Sequence, residues 1–425
     1  MTDQQPPKGA WAIVALLFLF MMINFADKAI IGLSGVPIMT ELKLTPKQFG
    51  LVGSSFFLLF SISAVVTGFL VNRIRSKLAL LVMGLLWALV QFPMLGTVGI
   101  ETLIACRIVL GAGEGPAYPV ALHAVYKWFP DAKRAVPGAI IAQGAAIGVI
   151  IVVPTLTWII SHYSWHYAFG ALGVVGLVWA ALWAIFGKEG DIGTPILAGA
   201  TAVNRIPYRE LLLNPTNLAS WCAYFGGYFG LALVLSWFTT YLVRVLGFSQ
   251  ATAGNLTALP FVAGFFVVIG GSLVSEKMLK AGASSRAARG IFSGSAVALG
   301  GLALLAEPQV SNTALKVVLI LAGTSLPSVI YTLGPAILAE ITPPCQRGAM
   351  LAINSAVGTS AGIIAPYLMG SVIEGAASVV EGYGLGFSIC GAVTFVGGVI
   401  GLVFLRPEAQ RARFAATSTA VAQPA

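Results

Sequence analysis

The sequence predicts an all-α membrane protein with twelve transmembrane helices in two pseudo-symmetric six-helix bundles. The first observation is composition. Of 425 residues, 58% are hydrophobic and 9% are charged, whereas a soluble domain carries roughly a quarter charged residues. The second is the number of long apolar runs, at least ten of which reach the roughly 18–20 residues that a spanning helix needs. The third is an uneven distribution of lysine and arginine between alternate loops.

The apolar runs define twelve spans and one long connection. In chain order, the predicted spans cover residues 11–39, 47–72, 77–96, 100–127, 135–160, 165–187, 216–243, 250–275, 289–306, 313–339, 348–373 and 383–405. The polar-leaning connection at 188–215 is predicted to be a cytoplasmic linker. It separates an N-terminal six-helix bundle (1–187) from a C-terminal six-helix bundle (216–405), and a cytoplasmic tail (406–425) follows.

The basic residues predict the orientation of the chain. If the N-terminus is cytoplasmic, 18 of the 24 lysines and arginines fall on the cytoplasmic side and 4 on the opposite side. The remaining two, Lys28 and Arg107, lie inside spans. This bias supports an even number of spans with both termini in the cytoplasm. It also assigns the net charge of +9 to topology rather than to a nucleic-acid partner.

The N-terminus and the cysteines indicate neither processing nor a metal site. The segment before the first span has no signal-peptide cleavage pattern, so we expect that span to remain in the protein. The four cysteines form no CxxC pair, so the sequence predicts neither a disulfide framework nor a zinc site. We expect no cofactor, and His162 and His166 in an outer loop indicate no metal.

Short motifs recur in the same order in both halves. They are LTPKQFG (44–50) and FSQATAG (248–254); GFLV (68–71) and GSLV (271–274); Pro130 and Pro343, each four residues before an arginine; and GAAIG (144–148) and GTSAG (358–362). Duplicated helical halves are typical of transporters, which bind substrate near the membrane midplane. The glycine pairs predict close helix packing.

Away from loops and span ends, four ionisable residues lie in the interior of predicted spans, all in the first half: Asp27, Lys28, Arg107 and Glu114. Such a group at the bilayer centre costs about 2.5 to 10 kcal/mol or more, so these must face one another or water. Arg107 and Glu114 are two helical turns apart, which places them on one helix face, roughly 10 Å apart. Asp27 and Lys28 are adjacent, so they point about 100° apart.

These residue types suit ion-coupled binding. Burial disfavours the charged form of a carboxylate, so a buried acid can exchange protons near neutral pH. Arginine stays charged and grips a carboxylate with two hydrogen bonds. Together they make a proton site beside an anion site. The alternative is a buried ion-pair network that only fixes helix packing, although apolar replacements often stabilise as well as such pairs do.

Four motifs resemble the anion:cation symporter family of the major facilitator superfamily. Arg107-x3-Gly111-x2-Glu114-Gly115-x3-Pro119 is similar to that family's fourth-helix pattern, and NFADKAIIGL (24–33) to its first-helix pattern. LSWFTTYL (235–242) and NSAVGTSAGIIAP (354–366) resemble its seventh and eleventh helices. Members carry sugar acids, tartrate, aromatic acids, sialic acid and glutamate. In the loop at 68–77 this chain departs from the superfamily pattern, with Asn72 where Asp is usual.

The resemblance implies roles for the buried charges. Asp27 and Glu114 would be the protonatable pair, and Arg107 would hold the substrate carboxylate. The family usually has arginine where this chain has Lys28, and a lysine is a point charge rather than a planar fork. Two roles stay open for Lys28, contact with substrate or pairing with Asp27 only.

Other polar residues of the spans are candidate substrate contacts, because interior amides and hydroxyls need partners. These candidates are Gln143, Tyr224, Tyr228, Trp237, Tyr331, Asn354 and Ser360. Tyrosine and tryptophan near span ends also serve as interface anchors. His123, near the cytoplasmic end of the fourth span, is interpreted as structural.

The predicted function is proton-coupled symport of a small organic anion by alternating access in a bacterial inner membrane, by a monomer that is not an enzyme. A polyspecific proton-coupled drug exporter is one alternative, but it leaves Arg107 unexplained. A membrane enzyme or nutrient sensor is another, but the sequence has neither HExxH nor GxSxG, and its polar loops are short. The sequence leaves open which carboxylate is carried, the proton stoichiometry, and whether the ion is H⁺ or Na⁺.

Overall fold

The computed structural model describes residues 7–70, 74–130, 133–190 and 206–421. These residues are almost entirely helical. The α-helices are α1 (Ala10–Leu33), α2 (Gly35–Glu41), α3 (Pro46–Leu70), α4 (Ser76–Gln91), α5 (Ile100–Glu114), α6 (Ala117–Tyr126), α7 (Ala135–His162), α8 (Trp165–Phe186), α9 (Tyr208–Leu212), α10 (Pro215–Leu233), α11 (Thr239–Arg244), α12 (Gln250–Leu256), α13 (Leu259–Lys280), α14 (Phe292–Ala306), α15 (Thr313–Ser325), α16 (Ile330–Ile341), α17 (Pro344–Thr359), α18 (Ala361–Gly375), α19 (Val379–Phe404) and α20 (Pro407–Val421).

Eleven of the twelve predicted spans are helical stretches long and apolar enough to cross a membrane within the described residues. The fourth span is the exception, because it is divided into α5 and α6, each of which is too short alone. The division falls at Gly115 and Pro116. A proline has no N–H and cannot continue the helical hydrogen-bond ladder. The twelve-span fold is therefore confirmed, with an interruption directly after Glu114.

Other spans also change helical geometry along their length. The first span breaks at Ser34, between α1 and α2, where Pro37 cannot donate to the carbonyl of Leu33. The seventh contains a π-helical segment, Val234–Phe238, and the tenth a 3₁₀ segment, Leu326–Val329. Hydropathy averages over such local changes, so the sequence predicted each of these spans as one continuous helix.

The chain divides into two compact units. Unit 1 contains Met1–Ile196, Leu235–Phe261 and Pro366–Glu374. In this unit α7 packs closely on α1. A Cβ atom added at Gly144 would lie 2.5 Å from the carbonyl oxygen of Phe18, and one at Gly148 would lie 2.7 Å from Cα of Met22. The prediction that GAAIG is a packing motif is confirmed, since only glycine permits this approach.

Unit 1 also includes short segments of the seventh, eighth and eleventh spans, which pack where α1 ends. A Cβ atom at Gly32 would lie 2.3 Å from the carbonyl oxygen of Leu235, so the two backbones touch. Trp237 Nε1 donates a hydrogen bond to the carbonyl oxygen of Pro366 at 3.0 Å, and its ring meets Phe49 edge-on. Gln250 donates to the carbonyl oxygen of Leu33 at 2.7 Å. These contacts close this end of unit 1.

Unit 2 contains Leu197–Val234, Val262–Ala365 and Gly375–Ala425. Here α14 packs on α19, with backbones in contact at Gly301 and Gly398, where a Cβ atom would lie 2.3 Å and 2.2 Å from backbone nitrogens. The helices α14 and α19 belong to the third and sixth spans of the second half. The corresponding helices of the first half, α4 and α8, also pack on each other in unit 1. The first and fifth helices pair likewise, as α1 on α7 and as α10 on α17. The internal repeat seen in the sequence therefore corresponds to repeated helix packing.

A glutamate braces the start of the third span in each half by accepting hydrogen bonds from its backbone N–H groups. Glu189 accepts hydrogen bonds from the backbone N–H groups of Ser76 at 3.2 Å and Lys77 at 2.9 Å, and it pairs with Lys127. Burial alone would raise the pKa of Glu189, but the hydrogen bonds from Lys127 and these backbone groups lower it below its usual value. In unit 2, Glu408 accepts from the backbone N–H of Ser285.

The linker and tail contain structure that hydropathy did not predict. Gln346 forms two hydrogen bonds with the backbone of Ile206, which fix the end of the linker to α17. The tail continues as α20. The central part of the predicted linker, residues 191–205, and Asn72 lie outside the described residues.

Candidate transport site

Three polar residues of α1 lie in the interior of unit 1. Asn24, Asp27 and Lys28 are 1%, 1% and 5% exposed. They interrupt an otherwise apolar stretch of α1, in which Ile23, Ala26 and Ala29 are also buried. Asn24 and Lys28 are four residues apart and therefore share a helix face. Lys28 Nζ donates a hydrogen bond to Asn24 Oδ1.

The fourth span brings Arg107 and Glu114 to the same interior. They are 4% and 1% exposed. The glycines between and beside them allow α5 to touch α3. A Cβ atom at Gly111 would lie 1.8 Å from the carbonyl oxygen of Phe56. One at Gly115 would lie 2.0 Å from the carbonyl oxygen of Phe60, so α5 can hold this position only with glycine there.

Lys28 and Glu114 form a buried ion pair. Lys28 Nζ lies 3.2 Å from Glu114 Oε2. The ammonium also lies 4.5 Å from the ring centroid of Phe25 and 5.1 Å from that of Phe60, both within cation–π distance. Glu114 Oε1 has no hydrogen-bond partner among the described residues. The sequence had left Lys28 between substrate contact and pairing with Asp27, whereas its carboxylate partner in the structure is Glu114.

Arg107 keeps part of its hydrogen-bonding capacity unused. Its Nη1 donates to the backbone carbonyl oxygen of Asp27 at 3.2 Å, and its Cζ lies 4.6 Å from the ring centroid of Phe56. Its Nε is buried and has no hydrogen-bond partner among the described residues. A guanidinium offers five donors, and buried donors without acceptors are costly. This arrangement therefore suits an incoming anion.

The Asp27 carboxylate has a neutral partner. Gln91 Nε2, at the last residue of α4, donates to Asp27 Oδ1 at 2.7 Å. The two membrane acids are therefore held differently, Glu114 by an ammonium and Asp27 by an amide.

Two further predicted site residues lie in unit 1. Gln143 is half-buried on α7. Trp237 is 1% exposed, and its indole N–H is already bonded to Pro366, so in this conformation it closes the end of the unit.

The remaining predicted residues lie in unit 2, where three tyrosines cluster. Ring centroids of Tyr224 and Tyr331 are 5.0 Å apart, and that of Tyr228 lies 6.4 Å and 6.3 Å from them. Asn354 is 1% exposed and accepts from Ser220 Oγ at 3.3 Å. Ser360, between α17 and α18, donates to the carbonyl oxygen of Val357 at 2.7 Å. Tyr224 also packs against Gly358 of the GTSAG motif.

Sequence reasoning missed two members of the cluster, Asn24 and Gln91. The signal for Asn24 was its position four residues before Lys28. Gln91 lies inside the third predicted span (77–96), and no spacing in the sequence links it to the charged residues of the first and fourth spans.

Twelve membrane-crossing segments in two repeated halves, with buried charges of both signs inside the first, define a multi-pass membrane carrier. Residues 16–329 match the family model described as Major Facilitator Superfamily. The chain belongs to that superfamily, and the relatives it resembles identify it as one of the anion symporter-type members.

Several relatives named as transporters of organic anions align over most of the chain. The hexuronate transporter of Bacillus subtilis (strain 168) is 29% identical in an alignment 385 residues long that covers 86% of this chain and 89% of that protein. The probable sulfoacetate transporter SauU of Cupriavidus necator is 30% identical in an alignment 425 residues long that covers 95% of each chain. The D-galactonate transporter of Escherichia coli O6:H1 is 25% identical in an alignment 306 residues long that covers 67% of this chain and 71% of that protein.

Solved structures share the fold. A bacterial homologue of the human lysosomal transporter Spinster, inward-facing and occupied, has a TM-score of 0.77 at 17% identity, over 97% of this chain and 99% of that one. A D-xylose–proton symporter has a TM-score of 0.77 at 15% identity, over 94% and 99%. At such low identity these similarities bear on the fold alone.

Proposed function

We propose that the chain is a proton-coupled symporter of a small organic anion that carries a carboxylate, and that it works by alternating access. The observation that carries the proposal is the state of Arg107. Its guanidinium is buried, yet its hydrogen-bond acceptor among the described residues is a backbone carbonyl rather than a carboxylate. A substrate carboxylate would supply the missing acceptors in a two-pronged bond. The relatives named for hexuronate, sulfoacetate and D-galactonate, all organic anions, support the same class of substrate.

The Lys28–Glu114 pair supports the coupling to protons. While Glu114 is charged, its carboxylate neutralises the Lys28 ammonium. A proton on Glu114 removes that partner and leaves a buried cation that needs another anion. The substrate carboxylate can then take the place of Glu114, so binding of proton and anion would be linked. Loss of the proton would return Lys28 to Glu114 and favour release of the anion.

The setting we propose is a bacterial plasma membrane, with a monomer whose two termini are cytoplasmic. The distribution of lysine and arginine supports this orientation. The bacterial relatives among the transporters support the location.

The test is binding followed by uptake. Purified protein is screened by thermal shift against hexuronate, D-galactonate, sulfoacetate and an aromatic acid, with a lipophilic cation as contrast. We expect at least one acid to raise the Tm and Arg107→Ala to abolish that shift. Arg289→Ala, which removes an arginine paired with Glu340 outside the cluster, is the control and should keep it. Undiminished affinity in Arg107→Ala would end the anion-site hypothesis, and stabilisation by the cation alone would favour the exporter.

Uptake of the identified acid into proteoliposomes then tests the ion. We expect accumulation with an inward proton gradient and none with a sodium gradient at equal pH. Accumulation driven by sodium alone would contradict proton coupling.

A further inference from the structure

Gln91 is the one partner that the described residues provide for the side chain of Asp27. The amide is 2% exposed, and its Nε2 lies 2.7 Å from Asp27 Oδ1. The charged groups that interact electrostatically with Asp27 are Lys28 from α1 and Arg107 and Glu114 from α5. None of the described cations forms a salt bridge with the Asp27 carboxylate, because Lys28 pairs with Glu114 and Arg107 bonds to the backbone of Asp27.

A glutamine amide and a lysine ammonium differ in the protonation states of a carboxylic acid with which they can form a hydrogen bond. An ammonium only donates hydrogen bonds, so it stabilises the charged carboxylate and has nothing to offer the protonated acid. A glutamine amide carries both a donor and an acceptor. Its NH₂ group can donate to the charged carboxylate, and after a half-turn of the amide its oxygen can accept the O–H of the protonated acid. Gln91 therefore matches Asp27 in both protonation states.

The surroundings of Gln91 include a small, largely apolar cavity. Beside Gln91 and Arg107 lies a cavity of about 10 Å³, which has room for about one water molecule. Its other lining is apolar apart from the thiol of Cys106, with Val90 and Leu103 among the residues. Removing the amide would therefore leave the charged carboxylate short of a donor.

We propose that Gln91 is a positioning residue that holds Asp27 in place in both protonation states and sets the pH at which Asp27 takes up a proton, separately from the Lys28–Glu114 exchange. The inference rests on the proposed function in one respect, because that proposal makes Asp27 one of the acids that couple transport to protons. No substrate contact is required of Gln91.

The experiment is an infrared pH titration of the purified full-length protein without substrate. The carbonyl band of protonated Asp27 is assigned by its loss in Asp27→Asn. In Gln91→Met, which has the same length and no amide, we expect the midpoint of this band to move to higher pH by about one unit. That is a tenfold higher proton affinity, because a charge-assisted hydrogen bond favours the ionised form more than the neutral one. Asn24→Leu removes an amide from Lys28 instead and is the matched control.

An unchanged midpoint in Gln91→Met would overturn the inference, and so would an equal shift in Asn24→Leu, which would indicate a general packing effect. If Gln91→Met does not fold, the frequency of the Asp27 carbonyl band in the wild-type protein tests the inference instead. We expect the frequency of a hydrogen-bonded carboxylic acid, and the frequency of a free acid would refute the contact with Gln91. Because no substrate is used, the shift can be found even if anion uptake fails, which would reject the proposed function alone.

Discussion

At the scale of single residues, the buried cluster gives each acid a partner with its own chemistry. Lys28 can leave Glu114 only for another anion, because a buried ammonium without a counter-charge is strongly disfavoured. Arg107 remains charged throughout and has donors to spare. In the proposed mechanism, Lys28 therefore moves between Glu114 and the substrate, whereas Arg107 binds the substrate.

Glu114→Gln should separate exchange from accumulation. The variant cannot take up a proton at this position, and Lys28 is always free of its ion pair. We expect uptake driven by a proton gradient to fall about tenfold or more, while exchange of internal for external substrate persists. Both are measured with labelled substrate in proteoliposomes.

The control for this variant is Glu307→Gln. Glu307 is also 1% exposed and pairs with a lysine, Lys316, at 3.1 Å, but it lies outside the cluster. It should keep gradient-driven uptake. Unimpaired accumulation in Glu114→Gln would remove Glu114 from the coupling mechanism.

At the scale of helices, the contact between α1 and the seventh span closes one end of unit 1. Any conformation that opens this end has to separate Gly32 from the backbone of Leu235. Gly32→Ala places a methyl group where there is no room, so we expect this contact to open. The readout is the labelling rate of Ser236→Cys by a membrane-impermeant maleimide, since Ser236 is 3% exposed when the contact is closed.

We expect labelling to rise about tenfold in Gly32→Ala, as an overpacked contact costs about 1–3 kcal/mol. Gly375→Ala is the control, because a methyl group there meets no atom within 4 Å. Equal labelling in both variants would show that the Gly32 contact does not hold this end closed.

The brace that Glu189 forms at the start of α4 predicts that the free energy of unfolding depends on pH. Glu189→Gln weakens the hydrogen bonds to Ser76 and Lys77, so we expect a loss of about 0.5–1 kcal/mol, in the lower range for helix N-terminal caps. The pKa of Glu189 is lowered in the folded protein. Its contribution is therefore present at neutral pH and is lost as the pH falls through that lowered value.

Thermal unfolding in detergent across pH 3–8 measures this difference, and Glu408→Gln tests the corresponding brace in unit 2. A difference between wild type and Glu189→Gln that persists undiminished at the acid end would contradict the assignment.

At the scale of the whole molecule, the orientation in the membrane is testable with one native thiol. Cys345 is exposed at the start of α17, in a loop predicted to be cytoplasmic. With the other three cysteines replaced, Cys345 should react with an impermeant maleimide in inside-out vesicles only. A second chain with Ser311→Cys as its single cysteine should react in right-side-out vesicles only. The reverse pattern would invert the proposed topology.

The architecture was predictable because lipid imposes length and hydropathy on every span. The identity of the buried charges was predictable for the same reason, since Asp27, Lys28, Arg107 and Glu114 have no place in a purely apolar helix. Their pairing was not. Spacing places Arg107 and Glu114 on one face, but whether Lys28 meets Asp27 or Glu114 depends on how α1 and α5 are rotated. Each helix is fixed by close backbone contact with another one, α1 with α7 at Gly144 and α5 with α3 at Gly111.

The cluster of Asp27, Lys28, Arg107 and Glu114 belongs to unit 1, whereas the tyrosine cluster and Asn354 belong to unit 2. The two copies of the repeat therefore carry different buried polar side chains. We predict that exchanging Tyr224, Tyr228 or Tyr331 changes which acid is transported, while the dependence on a proton gradient remains. We expect the residues that differ between carriers of different substrates to lie mainly in the second half of the chain.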